Sequence, residues 1–450
     1  MNELSRHPPG PRKWPIVGQL FEFRRDPLHF LQSLPPAYGG ITSLRLGNQD
    51  VYFLNDPKFI EQVLVTENQN FTKSRVLQRA KVFLGDGLLT SEGQHHLRQR
   101  RLVQPAFHRE RLKGYAADMA QIGDRFRSRW ENGVVMDVDQ EMMRLTLAIV
   151  GKTLFSADVE SDSHEVGEAM ETLLGMFQLV MLPFSTLLEK LPIPVMKRFH
   201  KARTALDNII YGLIAQRRAE GVDRGDLLSM LLDARDEEGD GSGMTDQQVR
   251  DEAITLFLAG HETTANVLTW TWYLLSQHPE VEARLHQEVD QVLQGRLPGF
   301  DDFPKLPYVE HVMAESMRLY PPAWAIGRQA REAFQLGGFA IPAKSILLMS
   351  PYVTHRSSEY WPNPTQFNPD RWAQPNERPK FSYFPFGGGP RLCIGERFAW
   401  MEGVLLISAI AQKWKFHLVD GHPVDTKPLI TLRPKHGMKM RIQSRNTSLK

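Results

Sequence analysis

Phe386-Gly387-Gly388-Gly389-Pro390-Arg391-Leu392-Cys393-Ile394-Gly395 contains the only cysteine of the 450-residue chain. A single thiol forms no internal disulfide and no Cys-based tetrahedral metal cage. That leaves a structural thiol, a nucleophile or one thiolate ligand. The glycines around it let the backbone approach a flat object closely, and Arg391 puts a fixed positive charge two residues from the sulfur. Residues 394–413 carry Phe398, Met401, Val404, Leu405 and Ala409 at helical spacing. Cys393 therefore stands at the start of a helix, where free amides and the positive dipole end favour thiolate over thiol. An anionic sulfur against a planar macrocycle is how a haem iron takes a cysteine as axial ligand. The plainer alternative is an inert core cysteine; the glycines and the arginine argue against it.

Outside this loop the chain has the composition of an ordinary globular protein, 42% hydrophobic and 24% charged. Its net charge of +2 is spread along the sequence and gives no support to a nucleic-acid binder. The length allows two or three ordinary domains or one large one. No linker-like stretch divides it, so a single domain over residues 1–450 is expected. Met1 to His7 shows no apolar signal core and no membrane span before Pro8-Pro9-Gly10-Pro11. Scarce cysteine fits a reducing compartment, hence a cytoplasmic location. The triplet Asn446-Thr447-Ser448 has no secretion signal to give it meaning.

The pattern along the chain is mainly α with small β portions. Residues 41–54 read as a hairpin around Gly47-Asn48. Residues 56–294 are mostly helical, and strand signals return at 337–348 and 430–432. The expected organisation is a β-rich start at about 36–60, a helical body at about 61–320 and a mixed segment at about 321–450. Asp236, Glu238, Asp240 and Gly241 partly match a calcium loop, but Gln247 stands where the bidentate glutamate belongs, so a solvated loop is expected. The apolar run 173–191 is either core or a lipophilic lid, and contact with a membrane surface is open to it.

Residues 248–277 read as one long apolar helix stopped by His278-Pro279. Its middle is Ala259-Gly260-His261-Glu262-Thr263-Thr264. Glycine and adjacent threonines loosen a helix, and a glutamate on a buried helix is costly unless it is used. A widened turn with a carboxyl and a hydroxyl can hold water or dioxygen and pass protons; a packing kink is the alternative. His261-Glu262 also opens like a zincin helix, but Ala265 stands where the second His is required.

Together these features resemble the cytochrome P450 superfamily of haem-thiolate monooxygenases. The cysteine signature is complete as Phe386, Gly389, Arg391, Cys393 and Gly395, and the oxygen-activation signature as Ala259, Gly260, Glu262, Thr263 and Thr264. The family's Glu-x-x-Arg pair appears as Glu315 and Arg318, and its partner segment as Phe367-Asn368-Pro369-Asp370-Arg371-Trp372. Glu315 and Arg318 share one helix face, and with Arg371 can form a buried triad behind the haem. The resemblance implies the P450 fold, with haem b buried between the long central helix and the Cys-ligand loop and helix. Cys393 would bind the iron. His96 and Arg100, one turn apart, match the family's propionate pair, with His95 a competitor for the first role; Arg328 and Arg391 resemble the other propionate ligands. Arg98 and Arg101 read as a solvated basic face, or as a docking face for an acidic electron carrier.

The implied reaction inserts one atom of O2 into a C–H or C=C bond, with Glu262 and Thr263 handling protons. Electrons would come from NAD(P)H through a reductase and a separate ferredoxin or flavodoxin, because no such domain is visible in the sequence. The resemblance places Leu88, Leu89, Leu258, Ala259, Ala323, Trp324, Ala325, Ile326, Ile430 and Thr431 around the substrate. Nearly all are apolar, so a fatty acid, terpenoid or carotenoid is expected, bound by a monomer with no membrane span. A haem sensor, or a family member of non-oxygenase chemistry, remains the alternative; neither has a use for the Glu262–Thr263 pair.

Overall fold

A computed structural model of the chain describes residues 7–156, 194–374 and 377–445. The apolar run 173–191 and Asn446 lie outside them. The chain divides into two compact units, Met1–Arg75 with Ala314–Cys393, and Val76–Met313 with Ile394–Lys450.

The first unit is organised by a five-stranded sheet whose order is Ile41–Leu46, Gln49–Leu54, Ile346–Met349, Ile326–Ala330, Phe71–Lys73. The expected hairpin is its outer pair, antiparallel from Ile41 opposite Leu54 to Leu46 opposite Gln49. Side chains alternate across a strand, and the two faces have separate cores. Tyr52 and Leu54 pack with Ile60, Leu64, Phe71, Leu347 and Phe384. Val51 and Phe53 pack with Leu31, Leu34 and Leu44. The strand Ile346–Met349 runs parallel to Gln49–Leu54, a pairing of segments about 300 residues apart that no local pattern announces.

The second unit is helical and built around the long helix Asp246–Gln277, 32 residues of which 23 are buried. It begins two residues before the expected start because Thr245 and Gln248 form a reciprocal capping box. Gly260 lets it approach Val138–Phe155: a Cβ there would lie 3.1 Å from a Val150 methyl. The helix runs unbroken through Gly260 and the threonines. The expected loosening appears instead as the Thr263 hydroxyl bonding back to the Ala259 carbonyl at 2.6 Å. The Cys-side helix is Glu396–Ala411, capped at Gly395 and buried over most of its length. Small sheets complete the unit, among them Thr426–Pro428 paired with Leu432–Pro434. Among the described residues no helix is long and apolar enough to cross a membrane.

Candidate functional site

The cysteine loop is fixed by its own backbone. Gly387 N–H donates to Phe384 O at 3.0 Å, Leu392 N–H to Gly389 O at 2.9 Å, and Cys393 N–H to Phe386 O at 3.0 Å. Gly387 and Gly389 have φ of +75° and +67°, and a Cβ at Gly389 would collide with the Leu64 carbonyl. Only glycine follows that path without strain. The loop thereby ends with the Cys393 thiol exposed, three residues ahead of the helix Glu396–Ala411.

Glu315 and Arg318 are fully buried on the helix Pro307–Leu319. Arg318 Nε and Nη2 each donate to the Glu315 carboxylate at 2.8 Å. Arg371 Nε at 2.8 Å, the Asn368 N–H at 3.0 Å and Trp372 Nε1 at 3.0 Å complete five donors on one carboxylate. The expected triad therefore forms, and two further donors join it. Arg318 Nη1 donates to the carbonyls of His355 at 2.8 Å and Pro364 at 2.6 Å. His355 also accepts the Phe384 N–H on Nε2 at 2.9 Å, so it links the triad to the start of the cysteine loop. Burial holds His355 well below the ordinary histidine range, with Arg318 adding to the effect, which keeps Nε2 an acceptor. Sequence reasoning missed His355; no spacing rule joins it to either segment.

On the long helix, Glu262 and Thr263 are each bound elsewhere. Glu262 is 3% exposed and accepts the Thr431 hydroxyl on Oε1 at 2.7 Å; Asn266 Nδ2 donates to Thr431 Oγ1 at 2.9 Å. Burial pushes the Glu262 carboxyl above the usual range, while Thr431 and Arg433 pull it back. Arg433 is held by Asp139 at 3.0 Å. His261, its Nδ1 on the Phe257 carbonyl at 3.1 Å, is pushed down to about 4 by burial and stays neutral. Thr431, expected among the substrate contacts, is 4% exposed and bonded on both sides. Its side chain serves Glu262. A third carboxyl, Glu402 on Glu396–Ala411, is fully buried with no hydrogen bond to either oxygen. Burial lifts it to about 8; the Thr264 hydroxyl pulls the other way without reaching hydrogen-bond geometry.

His96 is buried and Arg100 half-buried on Gly93–Val103. The neighbouring His95 is taken by the Asp86 carbonyl at 3.2 Å. Leu88 is buried, and its N–H donates to Glu252 at 3.0 Å, a long-helix carboxylate also bound by Gln99 at 3.1 Å. Leu258 is buried, whereas Ala259 is exposed although it sits mid-helix among buried residues. In the first unit, Arg328 and Arg391 are half-buried, and Ile326 lies against the cysteine loop, 3.6 Å from where a Gly387 Cβ would be. Trp324, half-buried, also packs against the Leu31, Leu34 and Leu44 cluster. Arg101 clamps Asp236 with bonds of 2.8 to 3.0 Å, and Arg98 binds the Ser242 and Gly243 carbonyls. These arginines pin the acidic loop 236–243 to Gly93–Val103. Arg98 is half-buried and Arg101 stays exposed, and Asp236, 4% exposed, is committed to them.

The family model described as Cytochrome P450 matches residues 8–440. Cyclooctatin synthase of Streptomyces melanosporofaciens is 41% identical over 95% of this chain and 94% of its own length. Cyclooctat-9-en-7-ol 5-monooxygenase of the same organism is 37% identical over 91% and 90%. Pentalenene oxygenase of Streptomyces avermitilis is 36% identical over 96% of both chains.

Proposed function

The chain belongs to the cytochrome P450 family and is a haem-dependent monooxygenase acting on a lipophilic substrate; we propose that this substrate is a cyclic terpenoid. Two similar proteins are named for a ring alkenol and for an alkene, pentalenene, and the substrate contacts expected here carry no buried cation to anchor a carboxylate. That favours a terpenoid over a fatty acid, with affinity coming mainly from apolar burial at ~25 cal/mol per Å2.

The residues present fit a haem. The exposed thiol of Cys393 ends a loop whose glycines forbid side chains on its path, and Ala259 opens an otherwise buried helix. Cys393 would bind the iron; His96, Arg100, Arg328 and Arg391 would meet the propionates, and Phe386, Gly389 and Gly395 would shape the loop beneath. Bound there, haem supplies activation of O2, one atom entering the substrate and the other leaving as water with two protons and two electrons.

The chain's own residues govern the protons. Glu262, with its pKa raised by burial, keeps a proton nearer neutrality than an ordinary carboxylate and can hand it on. Thr263, its hydroxyl proton given to Ala259 O, presents its oxygen as an acceptor to a donor beside it. Electrons reach the site from NAD(P)H through a reductase and a ferredoxin or flavodoxin, and residues 1–450 work as one catalytic domain, as the single family match over 8–440 supports. The observation carrying this reading is the cysteine loop, whose backbone is fixed by its own hydrogen bonds and whose Cys393 is exposed. The experiment is a spectral screen of the purified protein with cyclic terpene alcohols, terpene hydrocarbons and fatty acids. Terpenoids should convert the haem from low to high spin. A shift with fatty acids alone contradicts the substrate assignment.

A further inference from the structure

An acid that carries protons must be tolerated in the fold both with its proton and without it. Glu262, Thr431 and Asn266 are 3%, 4% and 0% exposed, so water cannot supply hydrogen bonds in whichever state lacks them. The contacts seen suit the ionised acid: Asn266 Nδ2 donates to the Thr431 oxygen, and the Thr431 hydroxyl donates to Glu262 Oε1. The first bond fixes the direction of the second. Asn266 Oδ1 is buried with no partner, a costly position for a carbonyl oxygen, and so has no hydrogen bond resisting rotation. Turning the amide over exchanges Oδ1 and Nδ2 without moving any other heavy atom. The Thr431 hydroxyl then donates to Oδ1, and its oxygen accepts from a protonated Glu262. The same two contacts run in reverse.

We infer that Thr431 and Asn266 are positioning residues, a reversible hydrogen-bond pair that serves Glu262 in both of its protonation states. The inference rests on the reading of Glu262 as the proton-handling acid. No covalent bond in the pair breaks; Glu262 gives up one proton and recovers one from water, and no electron moves. The charged groups that act on Glu262 are Arg433, from the segment following Thr431, and Asp139, from Val138–Phe155, with Arg433 favouring ionisation and Asp139 opposing it. They pair with each other. His261 is neutral, and Glu402 lies toward Thr264.

The test is an infrared pH titration of the haem-loaded full chain, the Glu262 carboxyl band being identified by its loss in Glu262→Gln. Thr431→Val removes the donor to the ionised form, so the midpoint should rise by about one pH unit, a tenfold change in proton affinity. The protonated C=O band should also move to higher frequency. Thr431→Ser should restore both. Asn266→Asp, whose ionised carboxylate only accepts, locks the reversed direction and should raise the midpoint as well; it carries the test if Thr431→Val fails to fold. Unchanged midpoints in Thr431→Val and Asn266→Asp, or Thr431→Ser behaving like Thr431→Val, overturn the pair. The proton role itself is read separately, from the solvent isotope effect on NADPH-driven O2 consumption with ferredoxin and its reductase. If Glu262→Gln leaves that effect unchanged while the infrared shifts appear, the role of Glu262 falls and the pair is only structural.

Discussion

Glu315 and Glu262 are both buried, and the protein treats them in opposite ways. Behind the cysteine loop, Glu315 receives five donors, three of them from two guanidinium groups. On the long helix, Glu262 has the Thr431 hydroxyl, and burial raises its pKa. Both side chains are almost wholly buried, so what separates them is the supply of donors. A carboxylate so supplied ties chain segments together. An undersupplied one sits where a small change moves its proton, which suits a group that must exchange it. Glu402, with no hydrogen bond at all, marks the far end of the scale.

The largest expected effect comes from breaking the saturated site. Glu315→Ala leaves Arg318 and Arg371 buried without their anion, a change worth about 3–5 kcal/mol. It also frees the His355 link to the cysteine loop. The variant should be recovered without haem and with a lowered melting temperature; a soluble, fully haem-loaded variant breaks the comparison. Next comes Thr263→Ala, which deletes the hydroxyl beside the undersupplied acid. It should leave haem content intact and divert electrons into peroxide, reducing product per NADPH by about 10²-fold or less. Unchanged coupling denies the long-helix pair its proton role.

Glu402 sharpens the comparison through pH. Its folded pKa, raised to about 8, lies far above the ordinary carboxyl value of about 4.3. Between those values the unfolded chain has released the proton and the folded chain keeps it, so stability falls as pH rises through that window and levels off above it. Glu402→Gln should flatten this fall and be the more stable protein at the alkaline end, by on the order of a few kcal/mol. Parallel melting curves against pH for the two proteins contradict the assignment. The smallest effect belongs to Arg101→Ala. Its partly exposed clamp on Asp236 is worth about 1 kcal/mol, and the rate of reduction by a ferredoxin should not change. A large loss in that rate would assign Arg101 to a docking face.

Whether a feature was legible in the sequence depends on how close together its parts lie. The cysteine loop, the long helix, the hairpin and the Glu315–Arg318 pair are spelled within a few residues, where spacing alone implies geometry. Arg371 was reached only through the family resemblance. Thr431 lies 169 residues from Glu262, and the strand pairing that presents it leaves no periodic trace, so it was read as an apolar-pocket neighbour. His355 touches the triad through its carbonyl and the cysteine loop through its ring, contacts no residue-type pattern encodes. The bonds of Arg98 and Arg101 to the acidic loop were not legible because those partners sit about 135–145 residues away.

The account stands on the sulfur of Cys393 as the axial ligand. Reduced, haem-loaded protein under carbon monoxide tests it directly, beside a Cys393→Ser variant. The intact protein should show the strongly red-shifted band of a thiolate-bound haem carbonyl, and the variant should lose it. Absence of the band in the intact protein, or its survival in Cys393→Ser, contradicts the account.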